Sequence, residues 1–128
     1  MAPRFNAIGL AVADMGTTLA FYRRLGLDIS ADADAEAHVE AVLPDGIRLM
    51  WDTIAMLRSF DPDFTPPTGA GPSLAFLCAD KAEVDAVHAE MVKAGYVSHK
   101  DPWDADWGQR YAVLKDPDGN GVDLFAWV

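Results

Sequence analysis

The chain has 128 residues, 51% of them hydrophobic and 23% charged, which is a globular composition on the scale of one ordinary domain. A formal net charge of −10, with no Lys/Arg cluster, argues against nucleic acid and anionic membrane surfaces as partners and favours a neutral or cationic small molecule. The single cysteine, Cys78, rules out an internal disulfide framework and reads as a small buried hydrophobe within an apolar run.

The first fourteen residues hold one short apolar run, interrupted by Asn6 and closed by Asp14. That is too short for a signal peptide or a membrane span, so a cytoplasmic protein is expected. Residues 5–13 read as a strand, with Ala7, Gly9 and Ala11 on one face and Ile8, Leu10 and Val12 on the other. After Asp14, the spacing of Leu19, Phe21, Tyr22 and Leu25 predicts a helix ended by Gly26. Strand-like residues follow, then a Pro44-Asp45-Gly46 turn and a strand presenting Arg48, Met50 and Asp52 on one side. Residues 53–72, with Pro62, Pro66, Pro67 and Pro72, read as a connector whose apolar front, residues 54–60, forms a short packed turn.

The pattern then recurs. Residues 73–79 read as a strand with Ser73 and Ala75 on one face and Leu74 and Phe76 on the other. Asp80 and Glu83 have capping-box spacing, and Val84, Val87, Met91 and Val92 predict a helix ended by Gly95. Residues 101–108 read as an acidic loop carrying Trp103 and Trp107. Pro117-Asp118-Gly119 repeats the earlier turn, and residues 122–128 form a last strand presenting Asp123, Phe125 and Trp127. The offset grows along the chain: Asp80 minus Asp14 is 66, Gly95 minus Gly26 is 69 and Gly119 minus Gly46 is 73. Caps and turns recurring in one order point to an internal duplication. The expected organisation is a single α+β domain over residues 1–128, with module one at 4–52, a connector at 53–72 and module two at 73–128.

Two stretches carry a family likeness: Trp107-Gly108-Gln109-Arg110-Tyr111 followed by Asp116-Pro117-Asp118-Gly119-Asn120, and Asp14 followed by Phe21-Tyr22 and Leu25-Gly26. With them the chain resembles the vicinal oxygen chelate superfamily of glyoxalases, extradiol dioxygenases and bleomycin-resistance proteins, and looks most like the drug-binding resistance branch. The resemblance implies two βαβββ modules forming a curved, mixed eight-stranded sheet around a cleft, usually within a homodimer. It also implies four metal-ligand positions, which fall on Ala7, Met50, Ser73 and Asp123. A methyl group, a thioether, a hydroxyl and one carboxylate are a poor donor set for a divalent ion. His38, His88 and His99 lie off those positions, so no metal and no cofactor is expected.

The cleft would instead offer small floor residues (Ala7 and Ser73), polar side chains (Arg48, Asp52 and Arg110) and rings. The rings are Trp103, Trp107, Tyr111, Phe125 and Trp127, suited to stacking on a flat ligand or holding a cation. Two other readings stand beside this one. In the first, the small residues merely permit tight packing; in the second, Trp107 closes its loop on the core while Trp103 serves a subunit contact. Asp123 is the best candidate for a catalytic acid or base. The leading expectation is a metal-independent binder of a planar aromatic or cationic compound such as an antibiotic. The alternatives are a glyoxalase-type lyase, isomerase or dioxygenase with a degenerate site, and a protein-association module.

Overall fold

A computed structural model describes residues 2–69 and 71–128. The fold is α+β, with two mixed sheets of three and four strands and three α-helices. Two compact units divide the chain, Met1–Pro67 and Thr68–Val128, so the boundary falls inside the predicted connector.

The first unit runs β1 (Ala7–Val12), α1 (Met15–Arg24), a 3₁₀ turn (Ala31–Ala35), β2 (His38–Val42), β3 (Arg48–Thr53) and α2 (Ile54–Phe60). Its sheet has the order β1-β3-β2, with β1 parallel and β2 antiparallel to β3. Strand alternation sorts the side chains as expected. Leu10, Val12, Val39, Ala41, Leu49 and Trp51 are buried on one face, together with Leu19, Phe21 and Tyr22 of α1. Tyr22 lies 5.3 Å from the Trp51 ring and 5.0 Å from Phe21, so three aromatics form the middle of this core.

The second unit runs β4 (Ser73–Leu77), α3 (Lys81–Lys93), β5 (Val97–Ala105), β6 (Gln109–Lys115) and β7 (Gly121–Trp127), in the sheet order β4-β7-β6-β5. Leu74, Ala112, Leu114, Val122, Leu124 and Ala126 are buried, as are Val84 and Met91 of α3. Cys78 is buried too, and burial raises its thiol pKa, as expected of an inert core cysteine.

The duplicated punctuation is visible in hydrogen bonds. Asp14 accepts from Thr17 N–H at 3.1 Å and Asp80 from Glu83 N–H at 2.8 Å, each capping its helix. Glu83 reaches back to Ala79 N–H at 3.0 Å, one residue before the cap. Both helices end alike: Gly26 and Gly95 each have φ of +99°, and Leu27 and Tyr96 donate to Tyr22 and Met91 carbonyls. This is the Schellman closure, written twice. The two Pro-Asp-Gly turns also match, with Gly46 and Gly119 donating to Leu43 and Asp116 carbonyls.

Three expectations need correction. Module two has the full βαβββ order, but module one has only three strands among the described residues, giving seven rather than eight. Where a strand would follow α1, Ser30 caps the Ala-Asp-Ala-Asp-Ala stretch into a 3₁₀ turn that leaves no apolar face to pair. Residues 54–60 are a helix rather than a turn, because the Thr53 hydroxyl accepts from Met56 N–H at 3.1 Å and the prolines begin only at Pro62. Residues 101–105 are strand, not loop. Pro102 and the flanking aspartates disguise this, and β5 accommodates them with register shifts between Ser98 and Lys100 and between Lys100 and Trp103.

Candidate functional site

Each sheet has one face against its helix and one face left open, and the predicted site residues fall mostly on the open faces. In the first unit, the register places Ala7 beside Arg48, Gly9 beside Met50 and Ala11 beside Asp52, with His38, Glu40 and Val42 completing the rows from β2. The Met50 methyl sits 3.6 Å from where a Cβ on Gly9 would stand, so the thioether fills the space left by the missing side chain. Arg48 donates to Asn6 Oδ1 at 2.9 Å and to Glu40 Oε2 at 2.8 Å. His38 lies between two carboxylates, with Nδ1 2.5 Å from Asp52 and Nε2 2.7 Å from Glu40. Asp52 and Arg48 are thus spent on partners within the face. From sequence His38 lies only off the metal positions and Glu40 carries no expectation, although their i, i+2 spacing in a strand puts them on one side.

In the second unit the open face is ringed with aromatics. Trp103 pairs with Tyr111 across β5–β6, and Tyr111 pairs with Phe125 across β6–β7. Trp103 and Tyr111 centroids are 5.5 Å apart, Trp107 lies 5.9 Å from Trp103 and 5.6 Å from Tyr111, and Phe125 stacks on Tyr111 at 6.3 Å. Trp127 meets Phe125 edge-on at 6.0 Å. Five rings therefore form one continuous wall, held in edge and stacked geometries that aromatic quadrupoles favour. Trp107 is 59% exposed and Trp127 67% exposed, so neither closes onto the core. Trp107 is placed by the turn at Gly108, whose φ is +86°, and by donation from its Nε1 to Gln109 Oε1 at 2.8 Å.

Polar groups flank the wall. The Lys100 ammonium lies 4.8 Å from the Trp103 ring centre, a cation–π contact that the expected loop at residues 101–108, which takes in Trp103 and leaves out Lys100, does not anticipate. Tyr111 donates its hydroxyl to Asp123. Burial, then that bond, pushes the phenol up to about 12, so it keeps its proton and stays the donor of this bond. Ser73 and Ala75 are exposed next to this row, with Ala75 paired to Asp123.

Arg110 is the exception. It alternates to the helix-covered side, where its guanidinium forks onto Asp85 of α3 at 2.9 and 3.1 Å and touches Asp104 at 3.3 Å. The structure does not bring it together with the rings. A second arrangement only imitates a catalytic set. Ser98 gives its hydroxyl proton to Asp101 at 2.7 Å, so His88 Nε2 must donate to Ser98 at 2.8 Å. A serine nucleophile needs the opposite direction, so this is a strut between α3 and β5.

The four metal positions can be judged by their surroundings. In the first unit, Ala7 has no donor and Met50 packs over Gly9. In the second unit, Ser73 is a neutral hydroxyl and Asp123 is engaged by Tyr111. Among the described residues no group of three or more His, Cys, Asp or Glu is disposed to hold a metal. These residues do not fit a divalent ion. No described helix is long and apolar enough to cross a membrane.

Residues 4–124 match the family model described as the Glyoxalase/Bleomycin resistance protein/Dioxygenase superfamily. The chain belongs to this superfamily. Among solved structures, a glyoxalase/bleomycin resistance protein/dioxygenase family enzyme from Burkholderia phytofirmans PsJN superposes with a TM-score of 0.84 at 17% identity, covering 98% of this chain and all of that one. A glyoxalase-related enzyme from Fulvimarina pelagi gives 0.80 at 18% identity over 98% of this chain and 88% of its own. A glyoxalase/bleomycin resistance protein/dioxygenase from Nocardioides gives 0.77 at 21% identity, covering 100% and 85%. Identities this low carry the glyoxalase-type fold and leave the chemistry to the side chains. No curated protein matches the sequence.

Proposed function

We propose that this superfamily member is a metal-independent binder that sequesters a planar aromatic or cationic small molecule, such as an antibiotic, on the ring wall of its second unit. The observation that carries this reading is the five-ring wall itself, with Trp107 and Trp127 more than half exposed on a chain of net charge −10. Exposed indoles gain by covering a flat ligand, each stack adding about 1 kcal/mol beyond area burial. The drug-binding resistance branch is the part of the superfamily this most resembles. A cytoplasmic homodimer with one ligand site per chain is the assembly proposed.

The test is a thermal-shift and calorimetric panel of planar aromatic cations against the full chain, with elemental analysis alongside. A saturable shift with no stoichiometric metal, weakened in Trp103→Ala and Trp127→Ala, is the expected result. Absence of any shift across the panel, or a bound transition metal, overturns it. If the tryptophan variants change oligomeric state instead, the rings serve association.

A second reading is favoured by Tyr111 and Asp123: a metal-free lyase or isomerase in which Asp123 exchanges a proton with substrate. Turnover lost in Asp123→Asn, with ligand binding kept, distinguishes the enzyme from the binder.

A further inference from the structure

We infer that His38 is an imidazolium built into the open face of the first unit, a proton-operated counter-charge that together with Arg48 balances Glu40 and Asp52 and fastens β2 to β3. The argument is one of stoichiometry. A neutral imidazole has one N–H, and an ionised carboxylate can only accept. Here both ring nitrogens stand at hydrogen-bond distance from carboxylate oxygens, 2.5 Å to Asp52 and 2.7 Å to Glu40. A neutral ring would aim a lone pair at one of them; two ring protons satisfy both.

The charges around the ring complete the case. Strand β2 contributes Glu40, while β3 contributes Asp52 and Arg48, the latter 2.8 Å from the same Glu40 oxygen. Strand β1 offers only Ala7, Gly9 and Ala11 on this face, and Asn6 just before it accepts from Arg48. On α2 the one charged side chain is Arg58, which donates to the Phe64 carbonyl at 3.0 Å. Arg48, Glu40, His38 and Asp52 thus form a row of alternating sign whose four charges cancel.

The Glu40 bond, then the Asp52 bond, raises the His38 pKa above 6.5 against opposing desolvation. A raised folded value means that this contribution to stability is whole below the unfolded pKa and is lost as pH climbs through the folded one. Loss of the proton turns a neutral face into an anionic one. It also removes a side-chain tie from β2, which lies at the edge of its sheet. This inference rests on the first unit and stands apart from the ring wall of the second.

The experiment is a long-range ¹H–¹⁵N correlation spectrum of the labelled full chain, titrated through neutral pH. Imidazolium-type shifts at both His38 nitrogens at neutral pH, and a midpoint above 6.5 that falls in Glu40→Gln and in Asp52→Asn, are expected. A single neutral tautomer at neutral pH, or a wild-type midpoint at or below 6.5, overturns the inference. The wild-type spectrum decides even where a variant fails to fold.

Discussion

The hydroxyl of Tyr111 reaches diagonally across the β6–β7 ladder to the carboxylate of Asp123, one row from its direct partner Phe125. The bond joins a carboxylate one row away to the ring at the centre of the aromatic wall. It has a titration signature. With its pKa pushed up to about 12, Tyr111 keeps its proton well beyond an ordinary tyrosine, whose reference value is 10.0. The stability it lends is whole below pH 10 and is withdrawn as pH rises from there towards about 12. Ultraviolet titration of tyrosinate is expected to show one late-ionising phenol, which moves towards the ordinary value in Asp123→Asn.

Trp51 is fully buried, yet its Nε1 has no hydrogen-bond partner among the described residues. An unpaired buried donor is costly, while the ring's packing against Tyr22 is favourable. Trp51→Ala is expected to destabilise by about 3–5 kcal/mol. Trp51→Phe removes the orphan donor while keeping a ring, and is expected to cost under about 2 kcal/mol. Urea unfolding of both variants measures the difference.

The two caps should behave as equivalents. Asp14→Ala and Asp80→Ala each remove an acceptor from a first-turn N–H and are expected to cost about 1 kcal/mol apiece. The caps lie in separate units, so their effects on chemical denaturation of the double variant are expected to add.

Arg110 supplies a control. Its fork onto Asp85 ties β6 to α3 on the face away from the rings. Arg110→Ala is expected to lower the melting temperature by an amount that shrinks with added salt, while leaving unchanged the affinity for any compound that binds at the proposed ring-wall site. A large loss of affinity would put Arg110 back among the binding residues.

What was legible in the sequence was local. Asp14, Gly26, Asp80 and Gly95 announce helix ends because a cap and a left-handed closure depend on only a few neighbouring residues. The alternation of Arg48, Met50 and Asp52, and of Asp123, Phe125 and Trp127, also carried through. What was missed depended on partners distant in sequence. His38 meets Asp52 only because β2 and β3 pair in one particular register, which neither residue states alone. Arg110 was grouped with Tyr111 by adjacency, although neighbours on a strand point to opposite faces. Trp103 was placed in a loop because Pro102 and its aspartates look like turn chemistry, and only the pairing with Tyr111 reveals the strand.

Pro102 has one more consequence. Strand β5 is the rim of the second unit's sheet, where unpaired amide and carbonyl groups would otherwise invite a strand from another molecule. A residue with no N–H, two breaks in register, and the charged run of Lys100, Asp101 and Asp104 make that rim a poor template for cross-molecular pairing. The irregularity that hid the strand from sequence inspection also serves as protection against fibrillar aggregation.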